Sequence, residues 1–199
     1  MISGMKWNKR FVGIAVIVLM TVTAFPLSAR ESWNLATLMA TIAVQKEARV
    51  RFVEEKHFSF MDQDLVSFGM LYYQPPDMLT REVYKPEKQR FVVKGMHLTM
   101  EENDESRTVD LSEYPQARIF IDAFRATLMG DIEMLRQLFT VTLEGDAQQW
   151  TMWLRPHDAA MSRLVTEILL RGREDRLQNI ETRESDGDYS LMRLEYDDS

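Results

Sequence analysis

The chain has 199 residues, no cysteine, and 24 basic residues against 31 acidic ones, for a formal net charge of −7. That balance excludes a nucleic-acid binder, which needs a basic footprint, and gives no attraction to an anionic membrane surface. The absence of cysteine excludes the disulfide framework common in small eukaryotic secreted domains.

The first residues, MISGMKWNKR, carry Lys6, Lys9 and Arg10 and no acid. An apolar run of 15 follows, FVGIAVIVLMTVTAF, and then PLSA, which ends in small residues. This order predicts a secretory signal peptide over residues 1–29, cut after Ala29, with Leu27 and Ala29 at the recognition positions. The alternative is an uncleaved anchor, for which the run is short of the roughly 20 apolar residues a spanning helix needs. No cysteine follows the cleavage region to accept a lipid. Cleavage leaves 30–199, 170 residues expected to form one domain with a real core. The signal holds three of the bases, so 21 bases then face 31 acids, a net charge of −10. A cysteine-free secreted domain of this size points to a bacterial periplasm.

Residues 32–44, SWNLATLMATIAV, have apolar side chains at helical spacing, with Ser32 as expected N-cap. From about residue 48 the period becomes two. ARVRFVEEKHFSF sets Ala48, Val50 and Phe52 opposite Arg49 and Arg51. LVSFGMLYYQ reads as a strand, and Gly69 inside it predicts a bend or bulge. In MLTREVY, alternation puts Leu79, Arg81 and Val83 on one face and Met78, Thr80, Glu82 and Tyr84 on the other. The first face is apolar except for a permanent cation in its middle. QRFVVKG and HLTME pair around Gly95, and SRTVDL is a further short strand.

The middle of the chain differs. EYPQARIFIDAFRATLMG places Pro115 near the first helical position, and Gly130 ends the helix. Ile119, Phe120, Ala123, Phe124, Thr127 and Leu128 fall at helical spacing. Asp131 caps a shorter helix, IEMLRQL. Strands then resume with FTVTLEG, QWTMWLRP, SRLVTEILLRG, RLQNIETRE and YSLMRLEY, the last two joined at Asp186-Gly187, a hairpin signal. The sum is one helix, six strands, a helical insert and five more strands, joined mainly as antiparallel hairpins. The helices are too few for two sheet faces, so they cover one face of a strongly curved sheet or plug an incomplete barrel.

Catalytic chemistry is not visible. His57, His97 and His157 lack metal-ligand spacing, and no nucleophile elbow or phosphate loop occurs. The acid pair Glu54-Glu55 has side chains on opposite faces and reads as solvated. The 14 methionines suit either ordinary core filling or a surface that accepts varied apolar partners. No catalytic residue, metal ligand or cofactor is expected.

Several stretches occur in a recognisable order. They are F-V-E-E-K (52–56), G-M-L-Y (69–72), P-x-x-L-x-R-x-V-x-x-P (76–86), Q-R-F-V-V-K-G (89–95) and W-L-x-P (153–156). The chain thereby resembles the LolA-type periplasmic outer-membrane lipoprotein carriers and their LolA-like relatives, most specifically over residues 48–100. The resemblance implies an α+β, mainly β fold. It is an unclosed antiparallel β-barrel of 10–11 strands with a helical lid over an apolar cavity. It implies a monomeric carrier that takes acyl-chain cargo, a lipoprotein, from an inner-membrane transporter to an outer-membrane acceptor. A free lipid or lipid-linked product is the alternative cargo. A periplasmic lipoprotein-sensing regulatory module is the alternative of another class, although such regulators carry a second domain and the sequence ends at Ser199.

Carried over residue by residue, the cargo cavity comprises Val50, Phe52, Leu71, Tyr73, Leu79, Arg81, Val83, Phe91 and Val93. The lid comprises Leu38, Ile42, Ile119, Phe120, Phe124 and Leu128. Two positions depart from the family pattern. Pro75 stands where the carriers commonly have an arginine that latches the lid, and Arg81 stands where they tend to have an aromatic. Arg81 is expected either to meet an anion, on the cargo or on a lid acid such as Asp122, or to carry its head to the barrel rim.

Overall fold

The computed structural model describes residues 33–43, 47–103 and 105–196. The expected signal peptide and Ser32 lie outside the described residues. The first helix, α1 (Leu35–Ile42), is capped by Asn34, whose side chain accepts a hydrogen bond from the Thr37 N–H at 3.0 Å. Asn satisfies the open donors of a first turn as Ser does. The helix therefore begins later than a Ser32 cap requires.

Six strands follow: β1 (Ala48–His57), β2 (Leu65–Gln74), β3 (Met78–Lys85), β4 (Gln89–Lys94), β5 (His97–Glu102) and β6 (Glu105–Asp110). A short 3₁₀ turn, Leu111–Glu113, leads into helices α2 (Pro115–Met129) and α3 (Ile132–Leu138). The remaining elements are β7 (Phe139–Asp146), β8 (Gln149–Pro156), a short α4 (Ala159–Ser162), β9 (Val165–Arg173), β10 (Arg176–Glu184) and β11 (Tyr189–Glu195). The sequence reading named no helix in this segment and began the strand SRLVTEILLRG at Ser162, the last residue of α4. Asp158 makes it a helix by accepting from the Ala160 and Met161 N–H groups.

All eleven strands form one antiparallel sheet in the order β6-β5-β4-β3-β2-β1-β11-β10-β9-β8-β7. Each pair joins chain neighbours except β1 with β11. The unpaired edges are β6 and β7, so the barrel does not close. Connectivity then places the helices. The chain leaves one edge at β6 and re-enters at the other edge at β7, so α2 and α3 must cross between edges. Crossing the inner face lets them bury Ile119, Ala123, Ala126 and Leu135.

That face is fixed by register. Phe52 lies opposite Leu194, Met192 opposite Ile180, Ile180 opposite Leu170, and Leu170 opposite Met152. All are buried, and together with Trp150, Phe139, Leu38 and Met39 they belong to one large apolar cluster. Full burial of each large side chain contributes about 1.5–3 kcal/mol. A smaller cluster of Val93, Leu98, Val109, Leu111 and Ile121 forms under the β4–β6 side.

Glycine is required by geometry at several positions, of which two shape β2 and the end of α2. At Gly69 the β2–β3 register shifts, and a Cβ would stand 1.8 Å from the Glu82 carbonyl oxygen and 2.7 Å from the Phe52 ring. Gly130 ends α2 at φ 68°, in the left-handed region that glycine enters without penalty. No helix among the described residues is long and apolar enough to cross a membrane.

Candidate functional site

Members of both apolar clusters line a cavity of about 390 Å³ on the inner sheet face. Two rows of the sheet build its floor. Leu71 lies opposite Arg81 and Arg81 opposite Phe91; Leu79 lies opposite Val93 and Val93 opposite Leu98. Helix α2 roofs the floor with Ala117, Phe120, Ile121 and Phe124, and Val165 and Met192 close the far side. The Phe120 and Phe124 rings stack at 6.1 Å between centroids. The volume lies near the low end of the ~300–1,000 Å³ range of small-ligand sites.

The structure spreads the expected site residues over three environments. Leu71, Leu79, Arg81, Phe91 and Val93 line the cavity, and Phe120 and Phe124 roof it. Val50, Phe52 and Val83 share the face but lie in the large cluster, as do Leu38, Ile42 and Ile119. Tyr73 is buried but does not line the cavity, and its hydroxyl donates to the Pro76 carbonyl at 3.4 Å. Leu128 is half-buried near the end of α2.

Arg81 has a partner that the sequence reading did not name. Its Nη2 donates to Glu54 Oε2 at 2.5 Å. Its guanidinium carbon lies 5.0 Å from the Phe52 ring centroid and 6.0 Å from that of Phe91. The ring faces favour a cation by about 0.5–2 kcal/mol. Asp122 does not serve Arg81: it pairs with Arg118 one turn away on α2, at 3.3 Å. Glu54 is likewise not solvated. It faces inward with 14% side-chain exposure, whereas Glu55 faces outward and pairs with Arg193.

The rest of the cavity wall is polar on the same side. Lys56 pairs with Glu184 at 3.0 Å, and Gln116 of α2 donates to the same carboxylate at 3.1 Å. Thr182 and Ser190 stand beside them. These residues were missed, yet their signal was present. Continuing the alternation Val50–Phe52 by two more steps reaches Glu54 and Lys56. Running back from Met192 by one step reaches Ser190.

Helix α2 is held at its other end by Arg125, which is 9% exposed. Its Nη1 donates to the Gly95 carbonyl at 2.8 Å and its Nη2 to the Asp77 carbonyl at 2.5 Å. Asp77 in turn accepts from the Gly95 N–H at 3.0 Å. The guanidinium thus ties the roof helix to the β2–β3 and β4–β5 turns. Burial pushes the nearby Tyr73 phenol up, Arg125 opposes that shift, and Asp77 adds to it.

Carboxylate oxygens of Glu184, Asp186 and Asp188 lie within 4.8 Å of one another. Each already serves the fold. Glu184 pairs with Lys56, Asp188 accepts from the Ser59 N–H at 2.7 Å, and Asp186 accepts from the Asp188 N–H at 3.1 Å. His57 pairs with Asp64 and stacks on Tyr189, away from the cavity lining.

An open antiparallel barrel roofed by a helix over an apolar cavity defines a LolA-like fold. The family model described as "Outer membrane lipoprotein carrier protein LolA-like" matches residues 27–195, and the chain belongs to that family. Among solved structures it is similar to the LolA superfamily protein NE2245 from Nitrosomonas europaea. That match has 12% identity, covers 82% of this chain and 93% of that one, and has a TM-score of 0.44. It is also similar to LprF from Mycobacterium bovis, at 14% identity, 80% and 89% coverage and a TM-score of 0.40. A DUF1329 family protein from Desulfovibrio piger matches at 11% identity, 82% and 90% coverage and a TM-score of 0.47. A search of curated proteins gave no significant match.

Proposed function

We propose that the protein is a periplasmic carrier that binds the acyl chain of a lipoprotein in the roofed cavity and releases it without catalysis. Residues 1–29 act as the secretory signal. An inner-membrane transporter loads the cargo and an outer-membrane acceptor receives it. The observation that carries this reading is the cavity itself: a floor from β2–β5 that is mainly apolar around Arg81, roofed by two stacked phenylalanines on a helix tied down at both ends.

The physical need matches the site. Each methylene kept from water contributes about 0.8 kcal/mol, so a long acyl chain in water costs on the order of 10 kcal/mol. A carrier needs a dry pocket and a roof that opens. Gln116 and Arg125 are the ties such an opening breaks, and Arg125 supplies from the roof what the family's arginine supplies from the barrel. The four charged groups of the cavity wall favour a second cargo, a free lipid with a polar head.

A photocrosslinking amino acid at Phe124, in cells that make the protein, tests the reading. Acylated cargo attached at position 124 and absent from a control at the outward-facing Tyr189 supports it. Equal labelling at both positions, or none at 124, rejects it.

A further inference from the structure

We propose that the cargo's polar head occupies a second cavity continuous with the roofed one, and that the head group it fits is a phosphoethanolamine-type zwitterion. The inference rests on the carrier reading above, for its second cargo, and specifies the head-group chemistry of that free lipid. The second cavity, about 470 Å³, lies on the side of the β3–β4 turn, which contributes Pro86 and Glu87 to its wall. It shares Glu54, Lys56, Arg81, Phe91 and Ser190 with the roofed cavity. Those side chains are the boundary between the two. On one side stand Phe120 and Phe124; on the other stand Ser67, Glu87 and Gln89. An amphiphile lying across this boundary keeps its chain dry and its head among polar groups.

Charge selects the head. Two cations and two carboxylates meet at or beside the boundary, as Arg81–Glu54 at 2.5 Å and Lys56–Glu184 at 3.0 Å. Their sum is zero. A head of one sign meets its like charge, either at the largely buried Glu54 and Glu184 or at the one-third-exposed Arg81 and Lys56, which is unfavourable. An uncharged head gains no ion pair. A zwitterion is matched on both counts. Order along the wall also matters. Arg81 and Lys56 stand at the boundary, whereas Glu87 belongs to the outer cavity alone. A phosphate next to the acyl-bearing end followed by an ammonium runs in the same order. Arginine's planar fork suits the phosphate, and Glu87 suits the ammonium.

The test compares three lipids that share one palmitoyl chain: lysophosphatidylethanolamine, lysophosphatidylglycerol and monoacylglycerol. Each displaces a fluorescent fatty acid from the protein. The zwitterion is expected to bind about tenfold more tightly than either other lipid, the scale of one added charge-assisted contact. Glu87→Gln, on an exposed turn, is expected to narrow its lead over the anionic lipid. The double variant Glu54→Gln/Arg81→Gln is expected to abolish it. Equal affinities, or tighter binding of the anionic lipid, overturn the head-group assignment and leave the carrier reading standing. Failure of all three lipids and of a palmitoylated peptide to bind overturns both.

Discussion

At the scale of single residues, Arg81 occupies an inward position that alternation would give to an apolar side chain. It is tolerated because Glu54 supplies its counter-charge and the Phe52 and Phe91 rings supply faces that favour a cation. Removing one partner of such a pair leaves a charge without compensation, whereas removing both relieves it. Arg81→Met is therefore expected to destabilise the protein by about 1–2 kcal/mol, a figure lowered because the side chain is one-third exposed. Arg81→Met/Glu54→Gln is expected to recover at least half of that loss in urea titrations. Equal losses in the single and double variants would contradict the pairing.

Titration gives a second residue-scale expectation. The Asp188 carboxyl is held below its ordinary range by the Ser59 N–H. Burial raises the Glu181 carboxyl, but Arg171 and Arg183 outweigh it and the net shift is downward. The unfolded chain takes up these protons first on acidification. Their contribution is therefore complete above the ordinary carboxylate range and is lost as pH falls below that range through the lowered folded values. Tyr196 behaves oppositely: burial pushes its phenol up to about 12, so its contribution is lost as pH rises from about 10 towards that value. Melting temperature measured across pH is expected to fall at both ends. Asp188→Asn reduces the acid fall and Tyr196→Phe the alkaline one; unchanged profiles in both variants would contradict these assignments.

At the scale of elements, the carrier reading requires α2 to move, and its ties define what moving costs. Arg125→Ala removes two hydrogen bonds from a buried guanidinium and is expected to cost about 2–4 kcal/mol. Arg125→Lys does not restore them, since an ammonium cannot reproduce the fork. Hydrogen exchange is expected to show faster exchange in α2 in both variants, with β8–β10 unchanged; uniform acceleration would mean that Arg125 supports the whole fold instead. Element boundaries were largely legible in the sequence because period two changes to helical spacing at α2 and back again at β7. Arg125 was not legible as a tie. It sits on a polar-looking position, and its partners are backbone carbonyls of distant turns, which no side-chain pattern records. Gly69 was legible as an irregularity, and its cause is the Glu82 carbonyl beside it. Gly69→Ala is expected to destabilise by at least about 2 kcal/mol, because backbone must shift to admit the methyl.

At the scale of the whole molecule, eleven strands in local hairpins leave one question open: which non-neighbouring strands meet. The answer, β1 against β11, puts β6 and β7 at opposite ends of the strand order and sends α2 and α3 across the inner face. Hairpin signals describe neighbours only, so this pairing was not readable from residues, and the cavity follows from it. Inward-facing apolar positions were readable, but a filled core and a cavity use the same side chains. Phe52 and Phe91 look alike in the sequence, and only the first is fully enclosed.

The central claim is reversible binding of an acyl chain in the cavity beneath α2. Native mass spectrometry of the protein, purified without detergent and then offered a palmitoylated peptide, tests it most directly. The account predicts one acylated species bound per chain, lost when Ala117→Trp fills the cavity under the roof. A bare polypeptide mass with every acylated compound offered, or binding that Ala117→Trp leaves untouched, would contradict it.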